Sequence, residues 1–330
     1  MRLARLVARL AALAVAAGAA LLLYLAFAPV GDFAPHPFNH DRNAVWLEHR
    51  WLERRQPDAD VEALLARLHA RGIAYVFPHI IPFDAAGRLP PHDRDEMRAF
   101  LAAARRVSPD MRVLPWIGGV RRGYKRQRPG TVELGDLAQR QRMVAEVRGI
   151  VDEGFDGVHL DVEPVDDGND EYLALLRAVR TAVGRGRVLS VSATRPAPVG
   201  LPRAPNFAWS PSYYARVAAT VDQVVIMAYD TALPTAPLYQ RYVRWAARSV
   251  AWALSGSEAR VLMGIPTYKP YTFMHRRGVE TPENSLAGVV AGLRGLGAGG
   301  TFEGVALYAE WTTDEAEWAS YERQWRNRAE

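Results

Sequence analysis

Short apolar runs alternate with amphipathic stretches along the chain after residue 42. Each run has the length and composition of a buried strand, and the stretches between them place apolar residues at helical spacing, as Val61, Leu64 and Leu68 do. Helices are expected at 61–70, 95–105, 137–152, 170–183 and 239–254, and a last helix should run from Thr313 and Asp314 towards Arg326. The strands are expected at 44–47, 73–77, 113–117, 157–162, 188–192, 223–228, 261–265 and 304–308.

Eight strands that alternate with helices are typical of a closed parallel barrel. We therefore predict an α/β fold, a single (β/α)8 TIM barrel over residues 43–330. A doubly wound open sheet shows the same alternation, but no glycine-rich G-x-G-x-x-G turn follows the first predicted strand. In a barrel, the carboxyl ends of the strands and the loops after them carry the functional residues, so polar residues there are the candidates.

The N-terminus has the composition of a membrane segment. Three arginines within the first nine residues precede an apolar run of 19 residues that ends at Ala28, which is long enough to cross a bilayer as a helix. The end of the run also fits a signal-peptide cleavage site, although Pro29 is a poor residue to follow one. We expect residues 1–30 to be a signal anchor or signal peptide and 31–42 a tether, with the barrel outside the cytoplasm.

Charge and cysteine content exclude several classes of protein. The formal net charge of +5 falls to +2 when the three N-terminal arginines are left out, so nucleic acid is not an expected partner. The absence of cysteine excludes disulfides and thiolate metal sites. We expect no cofactor, and we expect the chain to act as a monomer.

The fourth predicted strand carries three ionisable residues at alternate positions, His159, Asp161 and Glu163. Side chains two residues apart on a strand share a face, so all three should point into the barrel with Glu163 at its mouth. Ionisable groups facing a barrel interior are costly unless they are paired or used. These residues alone are compatible with an acid–base site, a buried structural network, or a metal site, because histidine and carboxylates are all metal ligands.

Four segments resemble the motifs of family 18 glycoside hydrolases, the chitinases and their relatives. Asp156–Glu163 is similar to the family's D-G-x-D-x-D-x-E, with His159 in place of the middle aspartate. The segment that begins at Trp116 resembles S-x-G-G with tryptophan for serine, and Met227–Asp230 matches M-x-Y-D. Gly304–Tyr308 corresponds to the last-strand segment, which usually ends in tryptophan. The four motifs occur in the family's order.

The resemblance implies hydrolysis of an N-acetylhexosamine-containing glycan by a retaining, substrate-assisted mechanism. Glu163 would protonate the glycosidic oxygen. Asp161 would orient the N-acetyl group of the substrate, which attacks the anomeric carbon, and Tyr229 would hydrogen-bond that group. Tyr308 or Trp311 would form the floor of the sugar subsite. With the basic residues considered below, the predicted substrate-binding residues are Asp156, His159, Asp230, Trp116, Tyr308, Trp311, Arg121 and Arg122.

The distribution of acidic residues also favours substrate assistance. The predicted fifth strand ends without an acid, and the seventh is followed by none until Glu280. Retaining chemistry needs a second group close to the anomeric carbon, and Asp161 and Asp230 are the carboxylates left to provide it. Substrate assistance is then the simplest mechanism, while a pair of Glu163 with Asp230 stays open as an alternative.

Basic residues crowd two loops on the predicted active face. Such loops are either a solvated surface or a binding site for an anionic polymer, such as peptidoglycan or an acidic exopolysaccharide. The residues concerned are Arg121, Arg122, Lys125, Arg126 and Arg128 after the third strand, and His275, Arg276 and Arg277 after the seventh.

Two further functions remain open at this point. The first is a catalytically silent glycan-binding barrel, since one fold hosts both binding and catalysis. The second is a metal-dependent hydrolase that uses His159, Asp161 and Glu163 as ligands. For His159 we expect a protonated ring that keeps Asp161 ionised, an effect that burial of the ring opposes.

Overall fold

A computed structural model describes residues 2–28, 30, 35–121, 131–197, 208–269, 272–294, 296 and 300–326. The strands are β1 Asn43–Leu47, β2 Ile73–Ile80, β3 Arg112–Val113, β4 Trp116–Arg121, β5 Thr131–Val132, β6 Gly157–Glu163, β7 Val188–Thr194, β8 Gln223–Met227, β9 Arg260–Pro266 and β10 Phe302–Tyr308. The helices are α1 Arg2–Phe27, α2 Arg50–Glu53, α3 Asp58–Ala70, α4 Arg94–Val107, α5 Leu137–Asp152, α6 Asp170–Val183, α7 Pro211–Ala218, α8 Ala236–Ala253, α9 Pro282–Leu293 and α10 Glu315–Gln324.

The strands form one closed parallel sheet. β1 pairs with β2 and β10, and the pairing continues through β9, β8, β7 and β6 to β4. β2 closes the ring by pairing with β4, where His79 is in register with Trp116 and Ile80 with Ile117. The short β3 pairs with β2 just before β4 begins, so these two share the third position of the barrel. The eight-stranded (β/α) barrel predicted from the sequence is confirmed.

Helix bounds follow the capping residues where the sequence provides them. Asp136 accepts hydrogen bonds from two backbone amides at the start of α5, and Asn169 accepts one at the start of α6. Asp314 caps α10, as expected from the sequence, and the cap is a reciprocal capping box with Glu317. These local signals are why the predicted bounds of α5 and α6 agree with the structure.

Helix α9 was not expected from the sequence, because most of its surface is buried and it has little polar face. Nine of its twelve residues are buried. Its glycines allow the backbone of α8 to come close: a Cβ at Gly288 would lie 2.8 Å from the carbonyl oxygen of Gln240, and one at Gly292 would lie 2.8 Å from that of Arg244. Glycine has a low helix propensity, and a buried helix lacks the alternation of apolar and polar residues that marks an amphipathic helix. The features that let α9 pack against α8 therefore also make it hard to predict from the sequence.

The N-terminal helix α1 contains an apolar stretch, Arg5–Phe27, with the length and composition of a membrane-crossing helix, which a signal peptide can share. Its end contacts the barrel at the start of α8. The Thr235 hydroxyl donates to the Ala26 carbonyl oxygen at 2.6 Å, and the Arg241 guanidinium donates to that of Ala28 at 2.8 Å. The contact involves the N-terminal end of α8, which follows β8 in the chain. It therefore lies at the end of the barrel where the strands have their carboxyl termini.

Candidate active site

A cavity of about 770 Å³ opens at the carboxyl ends of the barrel strands. Its walls come from the ends of β6 to β10 and the loops that follow them, and Trp46 from β1 contributes to them. The lining residues with polar or aromatic side chains include Trp46, Asp161, Glu163, Ser192, Thr194, Arg195, Tyr229, Asp230, Tyr268, Phe273, Tyr308 and Trp311. The structure therefore brings Glu163, Asp161, Tyr229, Asp230, Tyr308 and Trp311 together around one space.

The strand β6 places its alternate residues at increasing height in the barrel. His159, Asp161 and Glu163 are in register with Trp116, Gly118 and Val120 of β4. His159 is fully buried, Asp161 is half-buried and Glu163, the last residue of the strand, is exposed. The period of two along a strand accounts for this order, since each of the three side chains faces the interior.

The two carboxylate oxygens of Asp161 have different surroundings. Its Oδ2 accepts a hydrogen bond from the Trp116 indole Nε1 at 2.8 Å, whereas its buried Oδ1 has no hydrogen-bond partner among the described residues. Burial raises the pKa of Asp161 to about 6, against the opposing effects of the nearby Ser192 hydroxyl and of the hydrogen bond from Trp116. Trp116 stacks on His79, with ring centroids 3.9 Å apart, and lies behind the cavity wall. The predicted substrate contact of Trp116 is therefore replaced by a contact with Asp161.

The turn after β8 carries Tyr229 and Asp230. Tyr229 is buried against β9, where a Cβ at Gly264 would lie 3.0 Å from Tyr229 Cε1, so glycine leaves room for the ring. Burial raises the pKa of the Tyr229 hydroxyl well above its usual value, which keeps it protonated and able to donate. Asp230 has a left-handed backbone with φ of 56°, and its Oδ1 accepts a hydrogen bond from the Tyr268 hydroxyl at 2.5 Å.

Aromatic rings form one wall of the cavity. The Tyr308 ring lies 6.2 Å from that of Tyr229 and 5.9 Å from that of Trp311, centroid to centroid. Trp311 is 40% exposed and Phe273 is 82% exposed, so both present apolar surface at the mouth. Flat apolar rings beside a few polar groups are typical of a small-molecule or sugar pocket. Tyr268, Phe273 and Arg195 were not identified as site residues, although Arg195 directly follows β7 and Tyr268 lies two residues after β9.

The family model of the glycosyl hydrolases family 18 matches residues 59–330, which include every cavity-lining residue except Trp46. The chain belongs to family 18 of the glycosyl hydrolases. It is therefore a glycoside hydrolase of the chitinase-like type, as the four motifs implied.

Solved structures of other proteins share this barrel fold. The spore cortex-lytic enzyme SleL of Bacillus cereus is 12% identical, with a TM-score of 0.58 over 86% of this chain and 74% of that one. A chitinase from Chromobacterium violaceum is 16% identical, with a TM-score of 0.56 over 87% of this chain and 99% of that one. At such identities the likeness concerns the fold. No curated protein matches the sequence.

His159, where this family 18 chain departs from the family motif, is a buried neutral residue. Its Nδ1 bonds to the Ser190 hydroxyl at 2.8 Å, and its Nε2 bonds to the Ser192 hydroxyl at 3.0 Å. Because Ser190 donates its proton to Gln223 at 2.8 Å, Nδ1 must carry the ring proton and Ser192 must donate to Nε2. The ring also stacks on Phe77, with centroids 4.1 Å apart.

These contacts overturn two expectations for His159 and remove it from the metal-site alternative. Burial lowers its pKa to about 3, so the ring is neutral and does not keep Asp161 ionised. Its exposed fraction is zero, so it does not contact substrate. Both of its nitrogens are engaged by serine hydroxyls, so it is not available to ligate a metal with Asp161 and Glu163.

We expect His159 to make the protein less stable in acid. Its pKa is about 3 in the folded state and near 6.5 when unfolded, so below pH 6.5 the unfolded state binds the extra proton and stability falls. Between these two pKa values, His159 lowers the free energy of unfolding by about 1.4 kcal/mol for each unit by which the pH falls. The free energy of unfolding, measured with urea at several pH values between 7 and 4, should fall less steeply with decreasing pH in His159→Gln, by this amount. Equal slopes in wild type and variant would mean that the folded protein protonates His159.

Asp156, the first residue of the family motif, lies at the other end of the barrel. It precedes β6, and its carboxylate accepts hydrogen bonds from Arg105 at 2.8 Å, Arg112 at 3.1 Å and the Val113 amide at 2.8 Å. The predicted substrate contact of Asp156 is therefore wrong, because the residue that starts a strand is a barrel's length from the carboxyl ends. Its contacts tie α4, β3 and β6 together.

The structure describes only part of the two basic loops, and the basic residues it describes are not all exposed. Arg121 is half-buried and bonds to Asp166 at 2.7 Å, so its charge is partly neutralised. Arg122 lies outside the described residues, as do Lys125, Arg126 and Arg128. In the loop after β9, His275 is buried rather than exposed.

Within the described part of the chain, one group of three potential metal ligands converges. The ligand atoms of Asp230, His275 and Glu280 lie within 4.8 Å of one another. However, both oxygens of Glu280 already accept hydrogen bonds from the protein, and Asp230 accepts one from Tyr268. These bonds explain the group without an ion.

Proposed function

We propose that this family 18 chain hydrolyses an N-acetylhexosamine-containing glycan by a retaining, substrate-assisted mechanism. The observation that carries the proposal is the Asp161 carboxylate. Its Oδ2 is fixed by Trp116, while its Oδ1 lies buried without a partner among the described residues, on the wall of the cavity. A buried acceptor without a donor is costly, and the acetamido N–H of a bound sugar would supply the donor.

In this mechanism, Glu163 at the cavity mouth donates its proton to the glycosidic oxygen as the bond to the leaving sugar breaks. The acetamido oxygen of the substrate attacks the anomeric carbon and forms a cyclic oxazolinium. Positive charge develops on the acetamido nitrogen, and ionised Asp161 stabilises it. Glu163 then takes a proton from the water that opens the ring, and the configuration is retained.

Other cavity groups support the reacting sugar. The Tyr229 hydroxyl, which its high pKa keeps protonated, is available to donate to the acetamido oxygen as it attacks. Asp230 would accept a hydrogen bond from a sugar hydroxyl, and Tyr308 and Trp311 would stack on pyranose faces. Arg195 adds a positive charge to the wall, which suits a glycan that also carries carboxylates.

We propose peptidoglycan as the leading candidate substrate, since two structural neighbours are spore cortex-lytic enzymes and peptidoglycan combines N-acetylated sugars with carboxylates. The purified chain should release new reducing ends from peptidoglycan or from chitin oligomers. Binding to these glycans without any release would instead support the catalytically silent barrel.

We also propose that α1 anchors the chain in a membrane with the barrel on the outer side. The length of Arg5–Phe27 and the three arginines that precede the apolar run support this orientation. The contacts of Ala26 and Ala28 with α8 would then hold the cavity end of the barrel near the membrane. Full-length chain in alkali-washed membranes would support the anchor, and a shortened chain in the medium would indicate a cleaved signal peptide.

A further inference from the structure

Glu280 lies in the segment just before α9 and contacts the turn that carries Asp230 and Thr231. Its Oε2 accepts a hydrogen bond from the Asp230 amide at 2.7 Å. Its Oε1 accepts bonds from the Thr231 amide at 2.7 Å and from the Thr231 hydroxyl at 2.5 Å. The sequence suggested that no acid from this segment serves the site, yet its carboxylate directly contacts the turn that carries Asp230.

Glu280 cannot be a catalytic carboxylate in this arrangement. Its side chain is 0% exposed and is absent from the cavity wall. Each of its oxygens already accepts from the backbone of the turn, and Oε2 also bonds to His275 Nδ1 at 3.2 Å. Its contacts are with the backbone behind Asp230, whereas the Asp230 side chain is 45% exposed and lines the cavity.

The turn needs such support because its backbone is unusual. Asp230 and Ala232 have φ of 56° and 58°, in the left-handed region that non-glycine residues seldom adopt. The two amides of Asp230 and Thr231 point to the same side in this turn, and one carboxylate accepts from both. A charged acceptor stabilises such a pair of amides more strongly than a neutral one.

Tyr268 and His275 extend the arrangement to the Asp230 side chain. The Tyr268 hydroxyl donates to Asp230 Oδ1 at 2.5 Å, and the Tyr268 ring lies 4.2 Å from that of His275, centroid to centroid. His275 in turn bonds to Glu280. The backbone and the carboxylate of Asp230 thus both bond to one cluster, formed by Glu280, His275 and Tyr268.

We infer that Glu280 is a positioning residue, which holds the left-handed turn so that the Asp230 carboxylate meets the sugar in the cavity. The inference rests on the proposed function, because it assigns to Asp230 a contact that matters in the reaction. Glutamine in place of Glu280 keeps the shape but directs an N–H₂ group at one of the two amides. That amide then loses its acceptor, and the turn loses its geometry.

Glu280→Gln should lower kcat by about 10- to 100-fold, the range expected for the loss of a hydrogen bond to a charged group. Glu283→Gln is the matched control, because Glu283 is exposed in the first turn of α9 and undergoes the same chemical change. It should have wild-type kcat. Wild-type kcat in Glu280→Gln would overturn the inference.

A double-mutant cycle separates positioning from a general effect on the fold. Asp230→Asn removes the charge and keeps a residue that tolerates the left-handed region. If Glu280 acts through Asp230, Glu280→Gln should reduce kcat by less than about 3-fold in the Asp230→Asn background. Reductions that multiply would contradict this. Should Glu280→Gln not fold, Thr231→Val takes its place in the cycle; it removes the hydroxyl bond to Glu280 and also the acceptor of the Leu233 amide, while both backbone bonds to Glu280 remain.

A crystal structure of Glu280→Gln tests the inference without hydrolysis. The Asp230 carboxylate should move away from the Tyr268 hydroxyl, from which it lies 2.5 Å in the wild type. An unchanged turn would overturn the positioning role whether or not the enzyme cleaves a glycan. Failure of the wild-type chain to cleave any glycan would overturn the proposed function instead, so the two failures are distinguishable.

Discussion

Replacement of Glu163 by glutamine is expected to lower the turnover number by about 10²- to 10⁴-fold, the usual contribution of general acid catalysis. Glutamine has the shape of glutamate but carries no transferable proton, so the glycosidic oxygen would leave as an unprotonated alkoxide. Because Glu163 is exposed at the end of β6, the fold and the affinity for glycan should be unchanged. Initial rates of reducing-end release measure the effect, and melting temperature and glycan binding check the fold.

The leaving group provides the sharper comparison for Glu163. An aryl glycoside with a good leaving group needs little protonation, so Glu163→Gln should slow its cleavage far less than that of the natural glycosidic bond. Glu171→Gln, an exposed glutamate in the first turn of α6, is the matched control and should behave as wild type with both substrates. Natural-bond hydrolysis at the wild-type rate in Glu163→Gln would remove Glu163 from the role of acid.

The N-acetyl group of the substrate should matter as much as Glu163 does. A positioned intramolecular nucleophile has an effective concentration of about 10⁵–10⁸ M, so its removal is expected to slow hydrolysis by at least about 10³-fold. Chitin oligomers and their deacetylated counterparts of equal length provide the comparison. A thiazoline analogue of the cyclised intermediate should bind at least about 10²-fold more tightly than the parent sugar.

Asp161 links this expectation to the structure. If its Oδ1 receives the acetamido N–H, Asp161→Asn should weaken the binding of the thiazoline much more than that of the parent sugar, because the analogue resembles the charged intermediate. Equal cleavage of acetylated and deacetylated oligomers would refute substrate assistance. The carboxylate pair of Glu163 and Asp230 would then be the mechanism to examine.

Local spacing accounts for the part of the site that could be predicted. Asp161 and Glu163 are two residues apart on β6, and a strand repeats every two residues, so their shared face follows from the sequence alone. Tyr229, Asp230 and Tyr308 could be placed at the same end of the barrel because each ends or follows a strand. The family motifs added the order of these residues along the chain.

Partners distant in the sequence account for the part that could not be predicted. The Trp116 indole that holds Asp161 is 45 residues away, and Glu280 is 50 residues from the Asp230 amide it accepts. His159 is neutral because two serines more than 30 residues further on occupy its nitrogens and because Phe77 covers its ring. None of these contacts has a local spacing from which it could be deduced.

The sequence by itself thus determined the barrel and several of the residues at its mouth, because periodicity, capping and strand ends are properties of neighbouring residues. The tertiary structure alone decided the charge state of His159, the distant position of Asp156 and the support of Asp230 by Glu280. Charge state and side-chain orientation depend on burial and on donors and acceptors from other strands. Such quantities take definite values only when the barrel has closed.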